Sequence, residues 1–158
     1  MTGATILSLT GPVPTPDEIA FFRAADPWGF ILFRRNIVDA VQARALCAAL
    51  REAVGREAPV FVDQEGGTVQ RLRPPLARDW PDACAQPGGE RAVFMRHRLM
   101  AAELRACGID GNCAPVIDVA GPLTHPFLQR RIWSDDPAEV ARLARAAAEG
   151  RSEEHTSE

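Results

Sequence analysis

The run Val60-Phe-Val-Asp63-Gln64-Glu65-Gly66-Gly67-Thr68-Val69-Gln70-Arg71 gathers the side chains best suited to chemistry. Ala58 to Val62 is β-branched and aromatic, as expected of a buried strand. It ends on two acids, two glycines and an arginine. In α/β proteins ligands sit at the carboxyl ends of parallel strands. Carboxylates there accept hydrogen bonds from hydroxyl groups such as those of a sugar. The glycines permit close backbone approach or positive φ, and Arg71 presents a rigid fork of donors. On the residues alone, Asp63 is equally a ligand for hydroxyls or a loop cap. Glu65 reads as an organiser of the loop, paired with Arg71 or Arg35. Acids at i and i+2 also suggest a metal, but no histidine or further acid cluster supports one, so neither metal nor cofactor is expected.

Alternating strands and helices must position this run. Ala4–Leu9 reads as a first strand. Thr15-Pro-Asp-Glu opens a helix, with Thr15 as N-cap and an inner face of Ile19, Phe22 and Phe21. Gly29–Phe33 is a second strand. Asp39 caps a helix of about sixteen residues, with Val41, Ala45, Leu46, Ala49, Leu50 and Val54 at helical spacing. Ala58–Asp63 is the third strand. Arg91–Cys107 is a helix stopped by Gly108, with His97 placed on its exposed side. Asn112–Asp118 is a fourth strand. Asp136-Pro137 opens a last helix that Gly150 ends. Arg73–Gly89, with Pro74, Pro75, Pro81 and Pro87, has no apolar period and reads as a long loop, a common place for function. The order implies a parallel sheet. Periodicity alone leaves an open doubly wound sheet and a barrel both standing.

Composition narrows the classes. The chain has 158 residues and a net charge of −3, and all its basic residues are arginine. One domain at most is expected, with no electrostatic case for nucleic acid or an anionic membrane. No apolar run reaches membrane-span length, and the N-terminus lacks a signal-peptide pattern, so a cytoplasmic location is the default expectation. Cys47, Cys84, Cys107 and Cys113 form no Cys-x-x-Cys pair or zinc-ligand spacing, and read as buried reduced thiols.

Four ordered segments carry a family resemblance. Asp63-Gln-Glu-Gly-Gly-Thr-Val-Gln-Arg71 resembles the signature of family 3 glycoside hydrolases, in the branch of bacterial β-N-acetylhexosaminidases. Gly29-Phe-Ile-Leu-Phe-Arg-Arg-Asn36 is similar to the family's second strand and following loop. Gly108-Ile-Asp-Gly-Asn-Cys-Ala-Pro-Val-Ile-Asp118 is similar to a later strand. Thr124-His-Pro-Phe-Leu-Gln-Arg-Arg131-Ile-Trp-Ser-Asp-Asp-Pro137 is similar to the loop bearing a substrate-binding arginine. The family more often has a small residue, an aromatic and a glycine after that arginine; here Ile132, Trp133 and Ser134 follow. Arg131 is preferred over Arg130 for the role.

The resemblance implies an α/β fold, the N-terminal half of a (β/α)8 barrel of the TIM type, over residues 1–150. Residues 151–158 read as a non-native tail. It implies retaining hydrolysis of terminal β-linked N-acetylglucosamine from glycosides and cell-wall muropeptides, in cytoplasmic cell-wall recycling. Asp63, Arg71 and Arg131 would bind the sugar, with Glu65 and Asp118 in support. The catalytic aspartate and histidine belong to family elements expected C-terminal to this chain, which has no Lys-His-Phe-Pro-Gly-His run, so the chain alone is expected to be inactive. A β-glucosidase-like member of the family and a non-catalytic sugar-binding or interaction fragment are the alternatives.

Overall fold

A computed structural model describes residues 2–152; the suspected tail lies outside the described residues from position 153 onward. The elements are β1 (Gly3–Leu7), α1 (Pro16–Ala25), β2 (Pro27–Leu32), α2 (Ala40–Val54), β3 (Val60–Val62), β4 (Gln64–Gly66), β5 (Val69–Gln70), α3 (Gly89–Ala106), β6 (Gly111–Asn112), α4 (Pro126–Gln129) and α5 (Pro137–Ser152). The chain divides into two units, Met1–Asp63 with Leu104–Asn112, and Gln64–Glu103 with Cys113–Glu158.

The first unit is a parallel sheet in the order β1-β2-β3-β6. Phe30 pairs with Val60 and Leu32 with Val62, and all four are fully buried. All four lie on one face of the sheet, whereas Ile31 and Phe61 on the other face are only half-buried. Thr15 starts α1 with a reciprocal capping box: its hydroxyl accepts from Glu18 N at 3.2 Å, and Glu18 Oε2 accepts from Thr15 N at 2.8 Å. Phe22 packs edge-on to Phe30, whereas Phe21 faces outward. Asp39 caps α2 through Gln42 N at 2.8 Å.

The inner face of α2 differs from expectation. Leu46 and Leu50 are buried as foreseen, but their companions are Ala43, Cys47 and Ala53, and Val41 is exposed. The buried set follows the i, i+3, i+4, i+7 spacing of one stripe; Val41 lies off it, and hydrophobicity alone does not move a residue onto a face.

The fourth strand is also shorter than its sequence suggests. β6 pairs only Gly111 with Phe61 and Asn112 with Val62. A side chain at Gly111 would run into the Phe61 ring, so glycine is required where the ring crosses the ladder. Beyond Asn112, Pro115 has no N–H to donate, and the segment continues without ladder bonds.

The second unit holds the Gly-Gly turn as a two-stranded antiparallel ribbon, with Gln64 opposite Gln70. The expected loop runs over residues 73–88, with Gly89 already opening α3, and is interrupted by one 3-10 turn at Ala83–Ala85. Val93 of α3 packs with Leu143, Ala146 and Ala147 of α5, flanked by Phe94 and Trp133. Gly150 does not end α5. It lies buried inside the helix, where an added Cβ would strike the Phe94 carbonyl. Its glycine reflects close helix packing rather than a left-handed cap, and Arg151 continues the helix and donates to Ala114 O.

Candidate functional site

Asp63 follows β3 directly, at the carboxyl end of its strand, and is half-buried in the first unit. The other candidates belong to the second unit. Gln64 anchors the ribbon from inside. Its Oε1 accepts from Arg71 N at 2.9 Å and Leu72 N at 3.0 Å, while its Nε2 donates to Leu72 O at 2.9 Å. A buried amide bonded on both ends fixes where the Arg71 backbone leaves the turn.

Glu65 has a partner that the sequence did not nominate. It pairs with Arg131, Nε to Oε2 at 2.8 Å and Nη2 to Oε1 at 2.7 Å. The carboxylate side chain is 9% exposed and the guanidinium 22%. Such fork-on-carboxylate geometry fixes both planes. The Arg131 guanidinium also lies over the Phe127 ring, 5.3 Å from its centroid. Arg35, the other proposed partner of Glu65, donates instead to Leu9 O at 3.1 Å within the first unit.

The choice between adjacent arginines becomes physical here. Arg130 is more exposed and binds Asp82 of the proline-rich loop, Nε to Oδ2 at 2.8 Å. Arg131 turns inward to Glu65. His125 does what a loop histidine commonly does: its Nδ1 accepts from Phe127 N at 3.2 Å and caps α4. Asp118 is exposed, and the structure brings it to neither Arg71 nor Arg131.

Two residues of this site were missed, and one was misplaced. Arg96 and His97 are 3% and 2% exposed, whereas His97 was expected to face solvent. The signal was present: Val93, Arg96, His97, Met100 and Leu104 keep a strict helical stripe, and all are buried. Arg96 Nη1 donates to Gln86 Oε1 at 2.7 Å, and its Nη2 donates to Pro81 O at 2.8 Å and to Glu65 O. Burial lowers the Arg96 pKa to about 10. His97 meets Trp133 edge-on, ring centroids 6.1 Å apart. Burial first, then the charges of Arg96 and Arg151, push its pKa down to about 3, so it is neutral at physiological pH. Neither His97 Nδ1 nor Trp133 Nε1 has a hydrogen-bond partner.

These groups line one narrow cleft, among them Glu65, Arg96, His97, Arg131 and Trp133. It offers a fixed guanidinium beside an aromatic face and a neutral imidazole. That combination suits a neutral, hydroxyl-bearing ligand. Among the described residues no group of three or more His, Cys, Asp or Glu side chains could hold a metal ion. No helix among them is long and apolar enough to cross a membrane. The thiols divide: Cys47 and Cys107 are buried as expected, but Cys84 and Cys113 are exposed.

Comparison with known proteins identifies the family and the fold. Residues 27–157 match the family described as the glycosyl hydrolase family 3 N terminal domain. A beta-hexosaminidase of Xylella fastidiosa (strain 9a5c) is 37% identical over 158 residues, covering 92% of this chain and 45% of that protein. The chain thus spans about half the length of the curated relatives it matches. Crystal structures of NagZ from Neisseria gonorrhoeae superpose with a TM-score of 0.87 in complex with zinc ion and 0.85 in complex with N-trifluoroacetyl-D-glucosamine. Both are 29% identical, and each covers 96% of this chain and 47% of the other. The fold is therefore the α/β arrangement of the N-terminal part of that barrel, as the family resemblance implied. The chain belongs to the N-terminal domain family of the family 3 glycosyl hydrolases.

Proposed function

We propose that this chain is the sugar-binding part of a retaining β-N-acetylhexosaminidase, acting on terminal β-linked N-acetylglucosamine of glycosides and cell-wall muropeptides. The observation that carries the proposal is the two-bond grip of Glu65 on Arg131 in a chain of this family. A guanidinium fixed this way keeps its remaining N–H groups aimed at one place, and loses little further entropy when it binds hydroxyls. Arg71, emerging from the ribbon that Gln64 anchors, supplies a second donor fork, and Asp63 accepts from hydroxyls. The N-acetylglucosamine analogue bound by the gonococcal relative supports the choice of sugar. The cytoplasm and cell-wall recycling are the proposed setting.

Retention needs a nucleophile and an acid/base group. In this proposal neither comes from Asp63, Glu65 or Asp118, and the 158-residue chain alone releases no aryl alcohol from an aryl N-acetyl-β-glucosaminide. Its contribution is binding. Calorimetric titration with N-acetylglucosamine and with glucose tests the proposal. Binding of the acetylated sugar, lost in Asp63→Ala and Arg131→Ala, is expected. Equal binding of both sugars would redirect it to a β-glucosidase-like specificity, and binding of neither would end it.

A further inference from the structure

Among the described residues, the buried Arg96 guanidinium, 3% exposed, hydrogen-bonds to no carboxylate; the Asp82 carboxylate acts on it only through its charge. Its donors go to Gln86 Oε1, Pro81 O and Glu65 O, and the Trp80 ring centroid lies 5.8 Å from it. Taking a guanidinium out of water is costly and is offset only when its donors are well occupied. What the fork does, and an apolar side chain cannot, is tie two backbone carbonyls and one side-chain amide, from three separate pieces of chain, to one point.

Those pieces matter because of what they carry. The first is the peptide of Glu65, whose side chain grips Arg131. The second is Pro81, next to Asp82, which accepts from Thr68 N at 3.3 Å and from Arg130 Nε at 2.8 Å. The third is Gln86, near the far end of the proline-rich loop. Gly66 makes the approach feasible. At φ +108° it holds a conformation L side chains rarely adopt, and an added Cβ would collide with Arg96 Nη2 and stand 2.5 Å from Pro81 O. The glycine beside Glu65 is thus the complement of the arginine on α3.

We infer that Arg96 is a positioning residue for the sugar-binding arginine: its fork holds the Glu65 peptide, and through it the Glu65 carboxylate that fixes Arg131. This rests on the reading of Arg131 as a sugar ligand. It adds a residue on a different element, reached only through Glu65.

The experiment uses the 158-residue chain, with two readouts. One is affinity for N-acetylglucosamine. The other, independent of any sugar, is hydrogen exchange of the Arg131 Nε–H by nitrogen-15 NMR, which the Glu65 bond slows. Arg96→Lys and Arg96→Met are expected to keep the circular dichroism spectrum, speed that exchange at least tenfold and weaken sugar binding at least tenfold. Glu103→Gln, which loosens the same proline-rich loop where Trp80 Nε1 and Arg78 bind it, is expected to leave both within twofold. Exchange that stays slow in either folded Arg96 variant would overturn the inference, as would an equal effect of Glu103→Gln. Should both Arg96 variants fail to fold, Gln86→Leu removes one acceptor of the fork, and unchanged exchange there overturns it equally. A native chain that binds no sugar yet shows Arg96-dependent exchange would sink the proposed function and leave the positioning role standing.

Discussion

The Glu65 carboxylate holds the Arg131 guanidinium through two hydrogen bonds of 2.8 and 2.7 Å across 66 residues of chain. Each partner lies within a motif that, taken alone, reads as one charged loop residue among several. Together they form a single rigid donor.

Removing the carboxylate charge tests how much that rigidity contributes. Glu65→Gln keeps the shape but leaves a half-buried guanidinium without its counter-charge. A destabilisation of about 2 kcal/mol is expected, between the values for exposed and fully buried pairs. Denaturant melts of Glu65→Gln, Arg131→Met and the double variant should give a coupling energy of about 1–3 kcal/mol. A coupling near zero would mean the pair forms without holding anything.

His97 makes stability depend on pH in a definite direction. Its folded pKa is depressed to about 3 by burial and by Arg96 and Arg151, while the unfolded chain titrates near the usual histidine value of about 6.5. Between these values the unfolded state binds the extra proton, so the contribution is complete above about pH 6.5 and is lost progressively toward pH 3. The span corresponds to an upper limit of roughly 5 kcal/mol. Urea melts from pH 7 to pH 4 should show His97→Phe losing less stability on acidification than the parent chain. Parallel pH profiles would contradict the buried, neutral assignment.

Gly150 reverses a familiar substitution. Glycine to alanine within a helix usually stabilises by about 1 kcal/mol. Here the new methyl would press on the Phe94 backbone, which cannot swing aside as a side chain can. Gly150→Ala is expected to destabilise by about 1–3 kcal/mol, read as a lower thermal midpoint. A raised midpoint would show that α3 and α5 do not approach so closely.

The cysteines should sort by burial. Burial, its largest cause, pushes the Cys47 thiol up to about 11, and Cys107 is equally hidden. A thiol reagent at pH 8 is expected to modify Cys84 and Cys113 in the native chain, and Cys47 and Cys107 only after unfolding. Mass spectrometry of the digested, labelled protein checks the assignment.

Local rules carried much of the way. Thr15 and Asp39 announce helix starts because a short acceptor side chain satisfies backbone donors only a few residues away. Gly108, at φ +78°, stops α3 for an equally local reason. The order of strands and helices dictated parallel pairing, which the sheet shows. The motif gave only a preference for Arg131 over Arg130.

Long-range choices were not legible in the same way. Glu65 had several arginines available, and nothing in their spacing selects Arg131. The selection comes from where the ribbon and the loop after α4 place two planar groups face to face. His97 and Arg96 sit on a visible apolar stripe, yet their polarity suggests solvent. They are inside because loop carbonyls and Trp133 converge on that part of α3. Gly111 and Gly150 were likewise required by the Phe61 ring and the Phe94 backbone rather than by turns of their own. The sequence by itself determined which elements form and how they begin, because capping, periodicity and turn chemistry act over a few residues. Only the tertiary structure decided which charges pair and which polar groups are buried, because those energies depend on the distances between atoms far apart in the chain.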